Sequence, residues 1–179
     1  EIISETDSNN HTSVFEYDLL GRLTTRFEDD ANTVWHYDTQ QFGTGKIHFS
    51  TCTFENENGE ITIIKDEYFY DSFGRKIRSE KTINGEVFVT KNTRDILGRI
   101  KYTTYPSGYT TMNHYNRNGY LGKISNPDAG ILWEVNLMNS AGKIEEMTIG
   151  GDIHINYTYQ NDNYRITAIE TGKNSRHNL

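Results

Sequence analysis

Tyr17-Asp18-Leu19-Leu20-Gly21-Arg22-Leu23 returns down the chain as Tyr70-Asp71-Ser72-Phe73-Gly74-Arg75 and as Arg94-Asp95-Ile96-Leu97-Gly98-Arg99-Ile100. Degenerate copies extend the series: Tyr115-Asn116-Arg117-Asn118-Gly119 and Met138-Asn139-Ser140-Ala141-Gly142-Lys143-Ile144. The glycines Gly74, Gly98, Gly119 and Gly142 are 24, 21 and 23 residues apart. A longer variant, Tyr37-Asp38-Thr39-Gln40-Gln41-Phe42-Gly43-Thr44-Gly45-Lys46-Ile47, adds residues inside the turn, and Tyr157-Thr158-Tyr159-Gln160 with Arg165-Ile166 is the weakest copy. Roughly seven units fill residues 1–179 as a single repeat array, in which each unit buries surface only by stacking on its neighbours.

The turn defines the unit. Asp or Asn at its first position accepts hydrogen bonds from amides that a type I turn leaves unpaired, and glycine three residues on takes the left-handed conformation at little cost. A type I turn with a glycine bulge places Asp18 opposite Arg22 and Tyr17 opposite Leu23. The same register pairs Asp71 with Arg75, Asp95 with Arg99, Asp38 with Lys46 and Asn139 with Lys143. It also sets Tyr37 against Ile47, Arg94 against Ile100, Met138 against Ile144 and, as an exception to the apolar rule, Tyr70 against Lys76. Acid and base so placed read as surface pins of the register, not as catalytic dyads.

Between the turns the chain reads as strand. Glu60-Ile61-Thr62-Ile63-Ile64, Glu86-Val87-Phe88-Val89-Thr90 and Asp152 to Tyr159 are rich in β-branched and aromatic residues, several with period-two alternation. Asn58-Gly59, Asn84-Gly85, Pro106-Ser107-Gly108, Asn126-Pro127-Asp128-Ala129-Gly130 and Gly150-Gly151 supply further turns. The expectation is an all-β chain of tandem antiparallel hairpins, roughly 12 to 16 strands. Only 34% of residues are hydrophobic while 12 Tyr, 8 Phe and 2 Trp are present, a composition too thin for a thick core and suited to a curved single sheet.

Candidate chemistry is sparse. His36 and Asp38 are expected on one strand face with His48 and the single cysteine, Cys52, nearby, but the spacing fits no compact ligand motif, and His11, His114, His154 and His177 are scattered singly. Glu28-Asp29-Asp30 and Glu55-Asn56-Glu57-Asn58-Gly59-Glu60 lack the spacing of a calcium loop. No cofactor is expected. A net charge of −7 without a Lys/Arg cluster argues against nucleic acid, and no apolar run is long enough for a membrane span. One cysteine allows no internal disulfide.

These phrases together resemble the Rhs/YD-repeat family over nearly the whole chain. The resemblance rests on the YDxxGR copies, on the extended Tyr37 to Lys46 variant, and on Tyr105-Pro106-Ser107-Gly108-Tyr109-Thr110-Thr111 leading to His114-Tyr115-Asn116. The latter two are similar to repeats in the B and C components of bacterial toxin complexes and in polymorphic Rhs toxins. The resemblance implies a β-strip that spirals into a hollow shell around a C-terminal toxic polypeptide, located downstream in the same chain or in a partner subunit, with other shell segments as neighbours. It implies a secreted or bacterial cell-surface protein and no enzymatic activity in this stretch. The residues matching the repeat are Tyr17, Asp18, Gly21, Arg22, Tyr37, Asp38, Gly45, Tyr70, Asp71, Gly74, Arg75, Asp95, Gly98, Arg99, Tyr115, Asn116, Gly119, Asn139 and Gly142, and their role is structural.

The family's DPxGxxDG signature of an aspartyl protease site has no counterpart here, since Asn126-Pro127-Asp128-Ala129-Gly130 departs from it at its first residue. The chain accordingly reads as shell wall, a piece of a longer array. The alternative is an adhesion module whose tyrosines contact carbohydrate or a receptor, because aromatic faces stack on sugars.

Overall fold

Alternation of β-branched and aromatic residues between turn signals produces strands and nothing else. The computed structural model describes residues 1–173, so His177 lies outside the described residues. Among the described residues there are 15 strands, all pairing antiparallel, and no helix. In particular, no helix is long and apolar enough to cross a membrane. The chain divides into two compact units, residues 1–92 and 93–179.

Unit one holds β1 (Ser4–Thr6), β2 (Thr12–Tyr17), β3 (Leu23–Phe27), β4 (Ala31–Tyr37), β5 (Ile47–Glu55), β6 (Ile61–Tyr70), β7 (Lys76–Ile83) and most of β8 (Glu86–Arg94). Unit two holds β9 (Ile100–Thr104), β10 (Thr110–Tyr115), β11 (Leu121–Asn126), β12 (Gly130–Met138), β13 (Ile144–Ile149), β14 (Ile153–Tyr159) and β15 (Ile166–Lys173). Within each unit, every strand lies beside its sequence neighbours. Each unit is therefore an open meander with repeat turns along one edge and the Asn/Gly/Pro turns along the other.

The expected pairings Tyr17↔Leu23, Tyr37↔Ile47, Tyr70↔Lys76 and Met138↔Ile144 are all present. At the repeat turns the amide of Asp18 donates to the Arg22 carbonyl (2.9 Å) and that of Gly21 to the Asp18 carbonyl (3.0 Å), and the same pair of bonds recurs at Asp71, Asp95, Asn116 and Asn139. The turn is used on the opposite edge as well. Asp7 to His11 and Asn56 to Glu60 make the same bonds, with Asn10 taking the left-handed position at φ 65° in place of glycine.

One extra residue follows six of the repeat hairpins. Tyr17 pairs with Leu23 but Glu16 with Thr25; Tyr37 with Ile47 but His36 with Phe49; Tyr115 with Leu121 but His114 with Lys123. Thr24, His48 and Gly122 are thus bulge residues, and Ile77, Glu145 and Thr167 follow the same pattern. A bulge bends its strand and increases the local twist.

Among the described residues no hydrophobic side chain is fully buried, and the buried ones are polar: Thr25, Thr33, Asn126 and Thr148. Neither unit has a second layer of its own. Directly opposed residues share a face, and in unit two this separates the sheet by polarity. One face carries Ile124, Trp133, Ile149 and Ile153 in one chain of pairings and Val135, Met147 and Ile155 in another. The other carries Lys123, Glu134, Thr148 and His154, with Glu146, Asn156 and Glu170. In unit one both faces are mixed. Phe15, Arg26, Thr33, Cys52 and Ile64 follow one another on the tyrosine side, and His36, Phe49, Glu67 and Glu80 on the reverse.

Candidate functional site

The repeat residues converge on one another across units of the repeat, not only within them. Each repeat tyrosine ends a strand at the turn edge, where the ladder to the preceding strand has already stopped: β3–β4 pairing ends at Thr25↔Val34, and β5–β6 pairing ends at Phe49↔Glu67. The tyrosine hydroxyl bridges that gap. Tyr37 donates to the Leu23 carbonyl (2.8 Å), Tyr70 to Ile47 (2.6 Å), Tyr115 to Ile100 (2.9 Å), Tyr159 to Ile144 (2.8 Å) and Tyr17 to Ile2 (2.7 Å). For the first four, the acceptor is the apolar residue immediately after the base of the preceding repeat turn. Burial pushes the phenols of Tyr37 and Tyr70 up, so both hydroxyls remain protonated donors at neutral pH.

The bases join the same lattice. Arg22 Nε donates to Asp18 Oδ2 (2.7 Å), its Nη2 reaches Asp38 Oδ2 of the next repeat (2.8 Å), and its guanidinium lies 4.4 Å from the Tyr37 ring centre. Arg99 stacks on Tyr115 at 4.1 Å and Lys46 stands over Tyr70 at 5.8 Å. A planar guanidinium can bond a carboxylate edge-on while stacking on a ring, a combination a lysine ammonium does not reproduce. The acid/base pairs expected as pins within one hairpin are therefore, at Arg22, ties between successive hairpins as well.

Hydrogen bonds and opposed charges hold these carboxyls low. Asp71 is lowered to about 2, chiefly by the Arg75 side chain. Asp18 is lowered first by the Arg22 backbone amide, and Asp38 first by the Arg22 side chain. A carboxylate held below its unfolded value stabilises the fold at every pH above that value, near 3.8, and the stabilisation disappears as pH falls through the folded value. Stability is therefore expected to stay level in this respect from pH 7 to about 4 and to fall between about 4 and 2. Asp71→Asn separates charge from turn geometry, because Asn116 already holds the equivalent turn, its Oδ1 accepting from the Asn118 and Tyr120 amides at 3.0 Å. Circular dichroism during acid titration is expected to show the variant less stable at pH 7 and the gap closing toward pH 2; a constant gap would contradict the assignment.

The structure separates the residues that sequence spacing grouped as candidate chemistry. His36 and Asp38 do not share a face: His36 stacks on Phe49 at 4.2 Å, whereas Asp38 follows β4 with φ 67° and turns its carboxylate to Arg22 and the Gly45 amide (2.6 Å). Cys52 is opposite Thr33, on the reverse face from His36. His48 is the bulge residue. It joins Thr39 Oγ1 (Nδ1, 2.6 Å) to Glu67 Oε1 (Nε2, 3.0 Å), an arrangement that spacing did not reveal because Glu67 comes from the next strand. Glu67 is also bound by Lys65 (2.7 Å), and that ammonium lies 4.7 Å from the Phe49 ring centre. The order hydroxyl, imidazole, carboxylate resembles a nucleophile relay, but Thr39 is exposed and Glu67 is already neutralised, so the contacts fasten the extended 38–46 loop to β6.

The acidic segments meet at one pocket, where the Glu55 amide donates to the Asp30 carbonyl (3.2 Å), but their side chains are separately engaged. Glu28 pairs with Arg26 (2.8 Å) and Asp29 with His11 (3.1 Å). Among the described residues no three His, Cys, Asp or Glu side chains are grouped to hold a metal.

No protein-family model and no curated protein matches this sequence. The fold does have solved counterparts. A chain from the structure of the Photorhabdus luminescens Tc holotoxin pore with a TccC3 variant aligns over 97% of this chain with a TM-score of 0.61 at 12% identity. A chain of the TcdB2-TccC3-Cdc42 crystal structure aligns over 94% with a TM-score of 0.59 at 11% identity. This chain spans about a tenth of the length of each. At that identity the likeness is one of fold.

Proposed function

We propose that this chain is a wall segment of an Rhs/YD-repeat shell that encloses a toxic polypeptide, located downstream in the same protein or in a partner subunit. The observation that carries the reading is the single layer of sheet in each unit, whose repeats are tied to one another while no hydrophobic residue among the described residues is buried. A sheet with one apolar face and no second layer needs something to cover that face. In unit two the apolar face of Ile124, Trp133, Val135, Met147 and Ile155 would face the enclosed polypeptide, and the Lys123, Glu134, Thr148 and His154 face would meet solvent. The fold likeness to chains of the Tc holotoxin pore and TcdB2-TccC3-Cdc42 structures supports the same reading.

The role is mechanical and not enzymatic, and a secreted or cell-surface location follows from it. Carbohydrate binding receives little support from the repeat tyrosines, because their hydroxyls are committed to backbone carbonyls and a base lies over one ring face of Tyr37, Tyr70 and Tyr115. Limited proteolysis of the natural full-length polypeptide, followed by mass spectrometry, tests enclosure. The enclosed segment is expected to survive while the repeats are folded and to be digested once they unfold. Cleavage at the same rate in both states would overturn the reading.

A further inference from the structure

The last three turns on the repeat edge of unit two depart from the repeat in one direction, from charge to neutral amide and phenol. Asn116 and Asn139 stand where Asp18, Asp71 and Asp95 stand in their turns, and Tyr120 holds the base position of Arg22, Arg75 and Arg99. In the last hairpin the Gln160 amide donates to the Arg165 carbonyl and the Tyr164 amide to the Gln160 carbonyl, so Tyr164 takes the left-handed position of the repeat glycine, at φ 53°. A bulky residue is rarely held there, and such outliers gather where ligands bind. Two clefts open between these hairpins and share Asn139. The first, about 500 Å³, is lined by Asn116, Asn118, Tyr120, Asn139 and Ser140, and the second, about 460 Å³, by Asn139, Tyr157, Gln160, Asn161 and Tyr164. Tyr120 is 51% and Tyr164 43% exposed. Among the described residues neither phenol hydroxyl has a partner, nor do the side chains of Asn118, Ser140 and Asn161, while Asn116 and Asn139 engage only Oδ1 in their turns.

We propose that this edge binds a neutral oligosaccharide, with one sugar on Tyr120, another on Tyr164, and Asn139 between them. Free amides beside an open phenol ring supply what a pyranose requires: donors and acceptors for its hydroxyls and an aromatic face for its C–H groups. Unlike the repeat tyrosines, Tyr120 and Tyr164 have no base over their rings among the described residues. The lining selects against other ligands. Among the described residues no cation lines either cleft and Glu145 is the one charged residue that does, which disfavours sulfated or phosphorylated chains. Met138 is the one aliphatic side chain in the first cleft, too little for an apolar peptide. Successive hairpins lie two strands apart, about 10 Å at about 4.8 Å per strand, so a trisaccharide reaches both clefts where a monosaccharide fills one.

Binding of the natural full-length polypeptide to an immobilised panel of neutral trisaccharides, built from glucose, galactose, mannose or N-acetylglucosamine, tests this, with heparin and an uncharged Gly/Ser peptide alongside. At least one trisaccharide is expected to bind, about threefold or more tighter than its monosaccharide. Tyr120→Ala is expected to weaken that binding about tenfold through loss of the ring, and Tyr120→Phe, which keeps the ring, by about threefold at most. Asn118→Ala removes an exposed amide and is expected to weaken it about threefold, which keeps the test open if Tyr120→Ala fails to fold. Tyr109→Ala, at a tyrosine 41% exposed on the opposite edge of unit two, is expected to leave binding unchanged. Binding of none of the trisaccharides, or binding that neither Tyr120→Ala nor Asn118→Ala weakens, would overturn the proposal. So would equal weakening by Tyr109→Ala. Tighter binding of heparin or of the peptide would assign the edge to another ligand and overturn it likewise.

Discussion

Gly74→Val is expected to lower stability by about 2 kcal/mol or more, because a β-branched residue is forced to positive φ. Gly74 sits at φ 69°, and a Cβ there would lie 3.1 Å from Lys46 Cε. Lys46 belongs to the preceding repeat and stands over the Tyr70 ring. The substitution therefore strains its own turn and displaces the base of its neighbour. Gly45 isolates the first effect: its φ is 77°, but nothing lies within 4 Å of an added Cβ. Gly45→Ala is expected to cost only about 1 kcal/mol, the price of the left-handed conformation alone. Urea denaturation of both variants checks the order, and equal midpoints for Gly74→Val and the parent would refute it.

The second large effect concerns the tyrosine hydroxyls. Tyr37→Phe and Tyr70→Phe each keep the ring and remove one donor, leaving the Leu23 and Ile47 carbonyls without it. Each change is expected to cost about 1 kcal/mol. The acceptors lie on different strands, so the double variant is expected to lose about 2 kcal/mol, close to the sum. Tyr68→Phe serves as the control, since Tyr68 shares the face but lies outside the repeat position. Denaturation midpoints ranked double, then single, then Tyr68→Phe are the predicted result. A double variant no weaker than Tyr68→Phe would remove the hydroxyls from any role in joining repeats.

What could be read from the sequence follows the range of the interactions. Asp18, Gly21 and Arg22 specify their turn within five residues, so turn type, hairpin register and strand order were all legible. The bulges at Thr24, His48 and Gly122 were not, because no residue type marks them and each lies one residue beyond the point where pairing with the other neighbouring strand stops, which depends on distant chain. The tyrosine bonds are long-range as well, their acceptors lying 14 to 23 residues upstream. The apolar residue that follows the turn base in four copies, Leu23, Ile47, Ile100 and Ile144, was the available signal. Asp7 to His11 was missed because Asn10 replaces the glycine on which turn recognition relied. His36 and Asp38 were placed on one face by counting two residues along a strand, but the strand ends at Tyr37 and Asp38 turns away.

Encapsulation assigns opposite duties to the two faces of unit two, and photo-crosslinking in the full-length polypeptide distinguishes them. A photoreactive residue replacing Ile155 is on the face of Met147 and Val135; one replacing Asn156 is on the face of Glu146 and Glu170. Crosslinks from position 155 to the enclosed polypeptide, with none from position 156, are the predicted result. Equal crosslinking from both positions, or crosslinks from position 156 alone, would contradict a wall that turns its apolar face toward its contents.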